Sequence, residues 1–224
     1  MLLGIFASLA IYSKGLSTRS DASILGKNDG LYRYFAYGSN MCLDTMMDLR
    51  GLNPIASSPA ILRNYELVFD IPGIPFVEPC WASVQKSSTS NSAVHGIVYD
   101  LSPDDFVAVC RTEGVPFAYQ IERCKVQKYA SHEDLRQSSN ISDLGIHVEA
   151  YTLVRSILIR SEIGKAPSQS YLNVMIRGAV ENGLDPSYIK GLQRITPGRT
   201  IGKGTAETSL ILAKLSQQIR KGYI

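Results

Sequence analysis

The chain has 224 residues, of which 45% are hydrophobic and 19% are charged, and its formal net charge is +3. This length suits one domain, with or without a tail, and the composition is that of a soluble globular protein. The basic residues are scattered and form no run interleaved with aromatics, so nucleic-acid binding is not expected. The four cysteines form no C-x-x-C pair, which disfavours structural zinc and a disulfide scaffold and predicts free thiols in a reducing compartment.

The first thirty residues differ from the rest. Residues 2–12 (LLGIFASLAIY) form an apolar run of the size of a signal-peptide core, too short to span a bilayer. No Lys or Arg precedes the run, and residues 13–30 are polar and punctuated by glycine, which predicts a flexible linker. We therefore expect residues 1–30 to lie outside the folded domain, with no stable membrane span and a cytoplasmic location. A weak signal or anchor, or a tail packed on the domain, remains an alternative.

From residue 31 onward, strands come first and helices cluster late. Alternation and β-favouring residues predict strands at 31–37, 65–71, 81–85, 93–101, 119–129 and 148–159. Helical patterns, several with capping residues, occupy 41–49, 103–112, 170–182, 185–194 and 205–221. Gly96 inside a strand indicates a bulge or a close backbone approach. This order predicts an α+β domain over residues 31–224, with a mixed, barrel-like sheet and helices to one side.

The end of the first strand carries the first candidate site. It reads YFAYGSNM over residues 34–41, a β-favouring run that stops at Gly38, Ser39 and Asn40 before a helical pattern. Glycine permits a positive φ and a close approach, and serine and asparagine are favoured helix N-caps. Unpaired N–H groups at a helix start attract anions. The turn is a candidate anion site, although an ordinary strand-to-helix turn has the same composition.

Glu113 is the second candidate. Ser102 and Pro103 are typical first residues for the helical pattern 103–112, and Glu113 stands at its C-terminal end, before Gly114. A carboxylate there faces the negative end of the helix dipole, where Lys or Arg is more usual. Partly buried in an aromatic stretch, such an acid would hold a proton more readily, which suits general acid–base chemistry. A solvated surface glutamate is the alternative.

Together these motifs resemble the γ-glutamylcyclotransferase family. The resemblance, over roughly residues 31–222, is carried by YFAYGSNM at 34–41, GIVYDL at 96–101, Glu113-Gly114, Ala150-Tyr151-Thr152 and YLNVMIRGAVENGLDPSYIKGL at 171–192. It implies a mixed β-barrel with flanking helices of the AIG2-like type. The Gly-Ser-Asn turn favours the branch that acts on γ-glutamyl amino acids over the glutathione-specific one. Residues 74–83 are more similar to fungal members, some of which serve sulfur-containing toxin pathways such as that of gliotoxin.

The resemblance also implies a reaction. The family releases 5-oxoproline from a γ-glutamyl amino acid, peptide or glutathione-derived conjugate by attack of the substrate's own α-amine, with no cofactor and no metal. It implies Glu113 as the general acid and base. The residues that it implies for substrate binding are Tyr34, Phe35, Ala36, Tyr37, Gly38, Ser39, Asn40, Tyr119 and Tyr151. The expected partner is a small γ-glutamyl molecule, and a homodimer is left open.

Three other interpretations accompany this hypothesis. The chain could be a non-catalytic binding module of the same fold. Tyr119 and Tyr151 could be half-buried strand aromatics without a role in binding. Cys42, directly after the turn, could be a nucleophile activated by a helix N-terminus, but no histidine has a clear claim to partner it.

Overall fold

The computed structural model of the chain describes residues 30–74, 77–89, 91–129, 146–159 and 166–200. The predicted linker, apart from Gly30, and the predicted helix at 205–221 lie outside these residues. The described strands are β1 (Tyr32–Ala36), β2 (Ala56–Arg63), β3 (Tyr65–Ile74), β4 (Glu78–Lys86), β5 (Ala93–Leu101), β6 (Tyr119–Lys128) and β7 (His147–Arg155). The α-helices are α1 (Pro103–Thr112), α2 (Gln169–Glu181) and α3 (Pro186–Gln193).

Five of the strands close into a barrel in the order β1-β5-β2-β6-β7, and β3 pairs with β4 in a separate two-stranded sheet. β1 is antiparallel to β5 but parallel to β7, so the barrel is mixed. The close approach predicted at Gly96 is confirmed, because a Cβ there would lie 2.2 Å from the Ala36 carbonyl oxygen. The α+β, barrel-like fold that the sequence indicates is therefore confirmed.

Strand β2 is absent from the sequence prediction. Its sequence, ASSPAILR, has no clear alternation, and Pro59 argues against a central strand. The structure accommodates Pro59 because β2 pairs with β6 only at Ala60 and Ile61. The Pro59 carbonyl accepts from the Tyr129 N–H at 2.9 Å, just beyond the end of β6. Pro59 therefore lies at the end of the hydrogen-bond ladder between β2 and β6, where its lack of an N–H group costs no ladder hydrogen bond.

Two predicted elements differ from the structure, one in its helix type and the other in its last residue. The predicted helix at 41–49 is instead a 3-10 turn, Ser39–Met41, followed by a π-helix, Thr45–Leu49. The last predicted strand stops at Arg155 because the chain turns at Ser156, whose N–H donates to the Ala118 carbonyl at 3.0 Å. The remaining described strands and helices overlap their predicted ranges.

Helix α2 packs against the turn that follows β1. Gly178 makes this possible, because a Cβ at this position would lie 2.6 Å from the backbone nitrogen of Cys42. Ser168 is the N-cap of this helix, and its hydroxyl accepts from the Tyr171 N–H at 3.0 Å. Within the ranges that the structure describes, no helix has both the length and the apolar character required to cross a membrane.

Candidate active site

The turn after β1 is tightly wound. The Met41 N–H donates to the Gly38 carbonyl at 3.0 Å, and the Cys42 N–H donates to the Ser39 carbonyl at 3.1 Å. Gly38 has a φ of −106°, so the positive φ that glycine permits is not used. Instead, a Cβ at this position would lie 2.9 Å from the Tyr171 hydroxyl. Glycine is needed here for the close approach of that side chain.

Asn40 does not cap the turn, although its residue type favours that role. No side chain caps the turn, and Gly38 occupies the N-cap position. Asn40 is only 4% exposed. Its Nδ2 donates to the Tyr34 hydroxyl at 3.0 Å and to Oε1 of Glu113 at 2.8 Å. One amide thus joins the two motifs that the sequence singled out separately.

Glu113 reaches this position from the end of α1. The helix begins as predicted, with the Ser102 hydroxyl accepting from the Asp105 N–H at 3.1 Å. Glu113 is the C-cap residue, and Gly114 follows with a φ of +74°. The Glu113 side chain is 15% exposed. It is therefore a largely buried carboxylate and not the solvated surface glutamate that the sequence left as an alternative.

Arg50 completes the polar network. Its Nη2 forms an ion pair with Oε1 of Glu113, and its Nε donates to Oδ1 of Asn40 at 2.8 Å. Arg50 is the residue directly after the π-helix. No motif points to it, because its contact with Glu113 depends on how the turn and the π-helix bring distant parts of the chain together.

A narrow cleft opens beside this network. Its lining residues are Tyr34, Tyr37, Gly38, Ser39, Asn40, Ala82, Glu113, Tyr119, Leu153 and Tyr171. Ala82, Leu153 and Tyr171 are absent from the predicted set. Tyr171 lies in the first turn of α2, and a tyrosine at such a position carries no pattern that distinguishes a site residue from a packed one.

Three predicted site residues lie beside the cleft and not among its lining residues. Phe35 and Ala36 are fully buried in the core. The Phe35 carbonyl accepts from the Thr152 hydroxyl at 3.0 Å. The Tyr151 ring packs on Phe106, with ring centroids 5.5 Å apart. These contacts shape the barrel wall that supports the cleft.

The tyrosine hydroxyls of the cleft differ in their hydrogen bonds. Tyr37 donates to the Leu153 carbonyl at 2.5 Å, and Tyr119 donates to the Ala82 carbonyl at 2.8 Å. Tyr34 accepts from Asn40, and the described residues provide no acceptor for its own proton. Burial raises the pKa of Tyr34, Tyr37 and Tyr119 well above the usual tyrosine value. All three hydroxyls therefore stay protonated near neutral pH, and that of Tyr34 is available as a donor.

Cysteine and metal chemistry find little support at this site. Cys42 is fully buried, and its sulfur accepts from Nη2 of Arg177 at 2.8 Å. His95 does not serve as a partner of Cys42, because its ring stacks on Tyr188 with ring centroids 4.6 Å apart. All four cysteines are free thiols, as predicted. Among the residues that the structure describes, no cluster of three or more His, Cys, Asp or Glu could hold a metal ion.

Comparison with known proteins assigns this arrangement to a family. The model of the AIG2-like family matches residues 93–192. The γ-glutamyl cyclotransferase gliK of Aspergillus fumigatus is 31% identical over 176 residues, which cover 72% of this chain and 60% of the relative. The gliK protein of Claviceps purpurea is 28% identical over 156 residues, which cover 68% of this chain and 64% of the relative. The chain belongs to the γ-glutamylcyclotransferase family.

Solved structures agree with this family assignment at the level of the fold. A γ-glutamyl cyclotransferase structure aligns with a TM-score of 0.59 at 23% identity, over 82% of this chain and 99% of that one. An uncharacterized protein from Homo sapiens aligns with a TM-score of 0.60 at 23% identity, over 83% and 99% of the two chains. This γ-glutamylcyclotransferase family member spans about three fifths of the length of the two gliK relatives.

Proposed function

We propose that this protein is a γ-glutamylcyclotransferase that releases 5-oxoproline from a γ-glutamyl amide. The observation that carries the proposal is the cleft itself. It brings Glu113, a largely buried carboxylate, into hydrogen-bond contact with Asn40 of the turn after β1. A carboxylate of this kind beside a set of fixed donors suits a reaction that needs proton transfer and an oriented substrate.

The reaction requires no nucleophile from the protein, because the substrate supplies one. The α-amine nitrogen attacks the γ-carbonyl carbon, a new C–N bond closes the five-membered lactam, and the original amide C–N bond breaks. Overall, two protons move from the α-ammonium nitrogen to the leaving nitrogen when the amine departs as an ammonium ion. Holding the chain folded toward the ring lowers the barrier by reducing its entropic part, which can supply several kcal/mol.

Glu113 takes both proton-transfer roles in this proposal. It accepts a proton from the α-ammonium group and returns one to the leaving amine. The turn at 38–40, which lines the cleft, would bind the substrate's α-carboxylate. The Tyr34 hydroxyl, with its proton uncommitted among the described residues, is a suitable donor to the developing oxyanion. Tyr119 would contact the γ-glutamyl chain of the substrate in the cleft. Tyr151 would support substrate binding indirectly, through its packing on Phe106 in the barrel wall.

The proposed substrates are γ-glutamyl amino acids, γ-glutamyl peptides and conjugates derived from glutathione. All share the γ-glutamyl group that the reaction consumes, and they differ only in the leaving amine. We also propose that the enzyme acts in the cytoplasm, because all four of its cysteines are free thiols, which is typical of a reducing compartment.

The test offers the purified protein γ-glutamyl-alanine, glutathione and a glutathione S-conjugate, and it measures 5-oxoproline and the free amine. We expect equal amounts of both products from at least one compound. N-acetyl-γ-glutamyl-alanine is the matched control, because acetylation removes the attacking amine and should abolish release of alanine. Release of alanine from the acetylated compound would indicate a hydrolase. Binding of γ-glutamyl compounds without turnover would favour a non-catalytic binding module.

A further inference from the structure

Arg50 lies where the chain reverses after the π-helix Thr45–Leu49. The N–H of Gly51 donates to the Met47 carbonyl at 3.0 Å, and Gly51 has a φ of +65°. A π-helical turn holds one residue more than an α-helical turn, and such turns often occur at functional sites. Here the wide turn ends with the Arg50 side chain directed toward Asn40 and Glu113.

The Arg50 guanidinium uses its planar fork to hold two acceptors. Nε donates to Oδ1 of Asn40, and Nη2 pairs with Oε1 of Glu113. Asn40 closes the ring by donating from Nδ2 to the same Oε1 at 2.8 Å. The side chains of Arg50 and Glu113 are 16% and 15% exposed, so solvent screens the pair only weakly. A lysine, which carries a point charge on a flexible stem, cannot reproduce this fork.

The two oxygens of Glu113 are therefore not equivalent. Oε1 receives the donors of both Arg50 and Asn40, whereas the described part of the chain brings no donor to Oε2. Glu113 and Asn40 line the cleft, but Arg50 is not among the lining residues. Arg50 thus contacts the carboxylate from outside the cleft and leaves its second oxygen for the substrate.

We infer that Arg50 is a positioning residue that anchors Oε1 of Glu113, so that Oε2 exchanges the proton with the substrate. The inference rests on the proposed function and names the oxygen that performs the proton transfer. Because Asn40 belongs to the same ring, the anchor also fixes Glu113 relative to the turn that binds the substrate.

Two substitutions separate the charge of Arg50 from its geometry. Arg50→Gln removes both, and we expect kcat for 5-oxoproline release to fall roughly 10²-fold with little change in KM. Arg50→Lys retains the charge without the fork, so its kcat should stay well below that of the wild type.

Arg33→Gln is the matched control, because it removes another partly buried arginine–carboxylate pair, with Asp100 at 3.4 Å, outside the cleft. It should retain the kinetics of the wild type. Thermal unfolding of each variant verifies that it is folded, and Arg50→Lys keeps the test informative if Arg50→Gln does not fold.

Three outcomes would overturn the inference, and they are distinguishable. If the wild type is active and both Arg50 variants match it in kcat, the inference fails while the proposed function stands. The same holds if the whole loss appears in KM, or if Arg50→Gln lowers the residual rate of Glu113→Gln by the same factor as it lowers that of the wild type. If the wild type itself releases no 5-oxoproline, the proposed function fails first and the inference fails with it.

Discussion

Two polar clusters of this chain each contain a tyrosine and an acidic residue, and they differ in where their unpartnered polar groups lie. The cleft cluster consists of Tyr34, Asn40, Arg50 and Glu113. The His95 cluster consists of His95, Tyr129, Asp185 and Tyr188. In it, Nδ1 of His95 hydrogen-bonds with the Tyr129 hydroxyl, which also accepts from the Asp185 N–H at 3.0 Å.

The His95 cluster joins secondary-structure elements to each other. It connects β5 with the residue after β6 and with the start of α3, where Asp185 is the N-cap. Within the described part of the chain, the His95 cluster also leaves one group without a hydrogen-bond partner, the buried Tyr188 hydroxyl, but Tyr188 is not among the lining residues of the cleft. In the cleft cluster, the groups that the described residues leave without a partner are Oε2 of Glu113 and the proton of Tyr34, and both residues line the cleft. Polar groups that line a cleft and lack a protein partner are available to a ligand. This contrast, more than residue type, identifies the reactive cluster.

The largest effect is expected at Glu113. If its carboxylate were only structural, the cleft cluster would not differ in function from the His95 cluster. Glu113→Gln keeps the shape of the side chain and removes its ability to exchange a proton. We expect kcat/KM for 5-oxoproline release to fall by about 10²–10⁴-fold. Glu66→Gln, an exposed glutamate that accepts from Gln85 at 2.7 Å, is the control and should behave as wild type. Full activity of Glu113→Gln would exclude the proposed role.

The second largest effect is expected on stability, from alanine substitutions in the helices next to the two clusters. Gly178→Ala in α2 would place a Cβ 2.6 Å from the Cys42 backbone nitrogen, so we expect a loss of about 1–3 kcal/mol of unfolding free energy and weaker activity. Gly191→Ala in α3 meets no atom within 4 Å and should raise stability by about 0.5–1 kcal/mol. Urea unfolding measures both. Equal effects of the two substitutions would show that α2 does not constrain the turn.

A smaller effect is expected at Gly38. Gly38→Ala introduces no strained φ, but its Cβ would lie 2.9 Å from the Tyr171 hydroxyl. We expect a loss of activity corresponding to about 1 kcal/mol, with most of it regained in the double variant with Tyr171→Phe. Steady-state kinetics of the four proteins in this cycle measures the coupling. Additive losses would mean that the two side chains do not meet.

The smallest effect is the pH dependence of the His95 cluster. Burial lowers the pKa of His95 below its usual value, so the unfolded state binds a proton first as the pH falls. The stability that neutral His95 provides is complete above about pH 6.5 and decreases as the pH falls below that value. We expect His95→Asn to flatten the melting temperature between about pH 5 and 7 without changing kcat/KM at neutral pH. His147→Asn, at an exposed histidine, is the control for the substitution itself and should leave the melting temperature at neutral pH as in the wild type.

The parts of this fold that follow local rules could be predicted from the sequence. Helix α1 was predicted because Ser102, Pro103 and Gly114 mark its ends, and this placed Glu113 at the helix C-terminus. Strand β2 was missed because Pro59 contradicts the usual pattern of a barrel strand, and only the tertiary pairing shows why it fits.

The site could be predicted from the sequence only at residues whose own local sequence context indicates a function. The sequence indicates Asn40 and Glu113 separately, but not the hydrogen bond between them, which links residues 73 positions apart. Arg50 and Tyr171 were missed because the π-helix and the first turn of α2 direct their side chains, and neither geometry leaves a distinctive pattern in the sequence.

The central claim is that the substrate's amine, and not water, attacks the γ-carbonyl in the cleft of Glu113. Incubating the wild type with γ-glutamyl-alanine in H₂¹⁸O and analysing the products by mass spectrometry tests it most directly. The account predicts 5-oxoproline without ¹⁸O, released in equal amount with alanine, because no oxygen from water enters the lactam. Glutamate carrying ¹⁸O as the initial product would show hydrolysis and contradict the account.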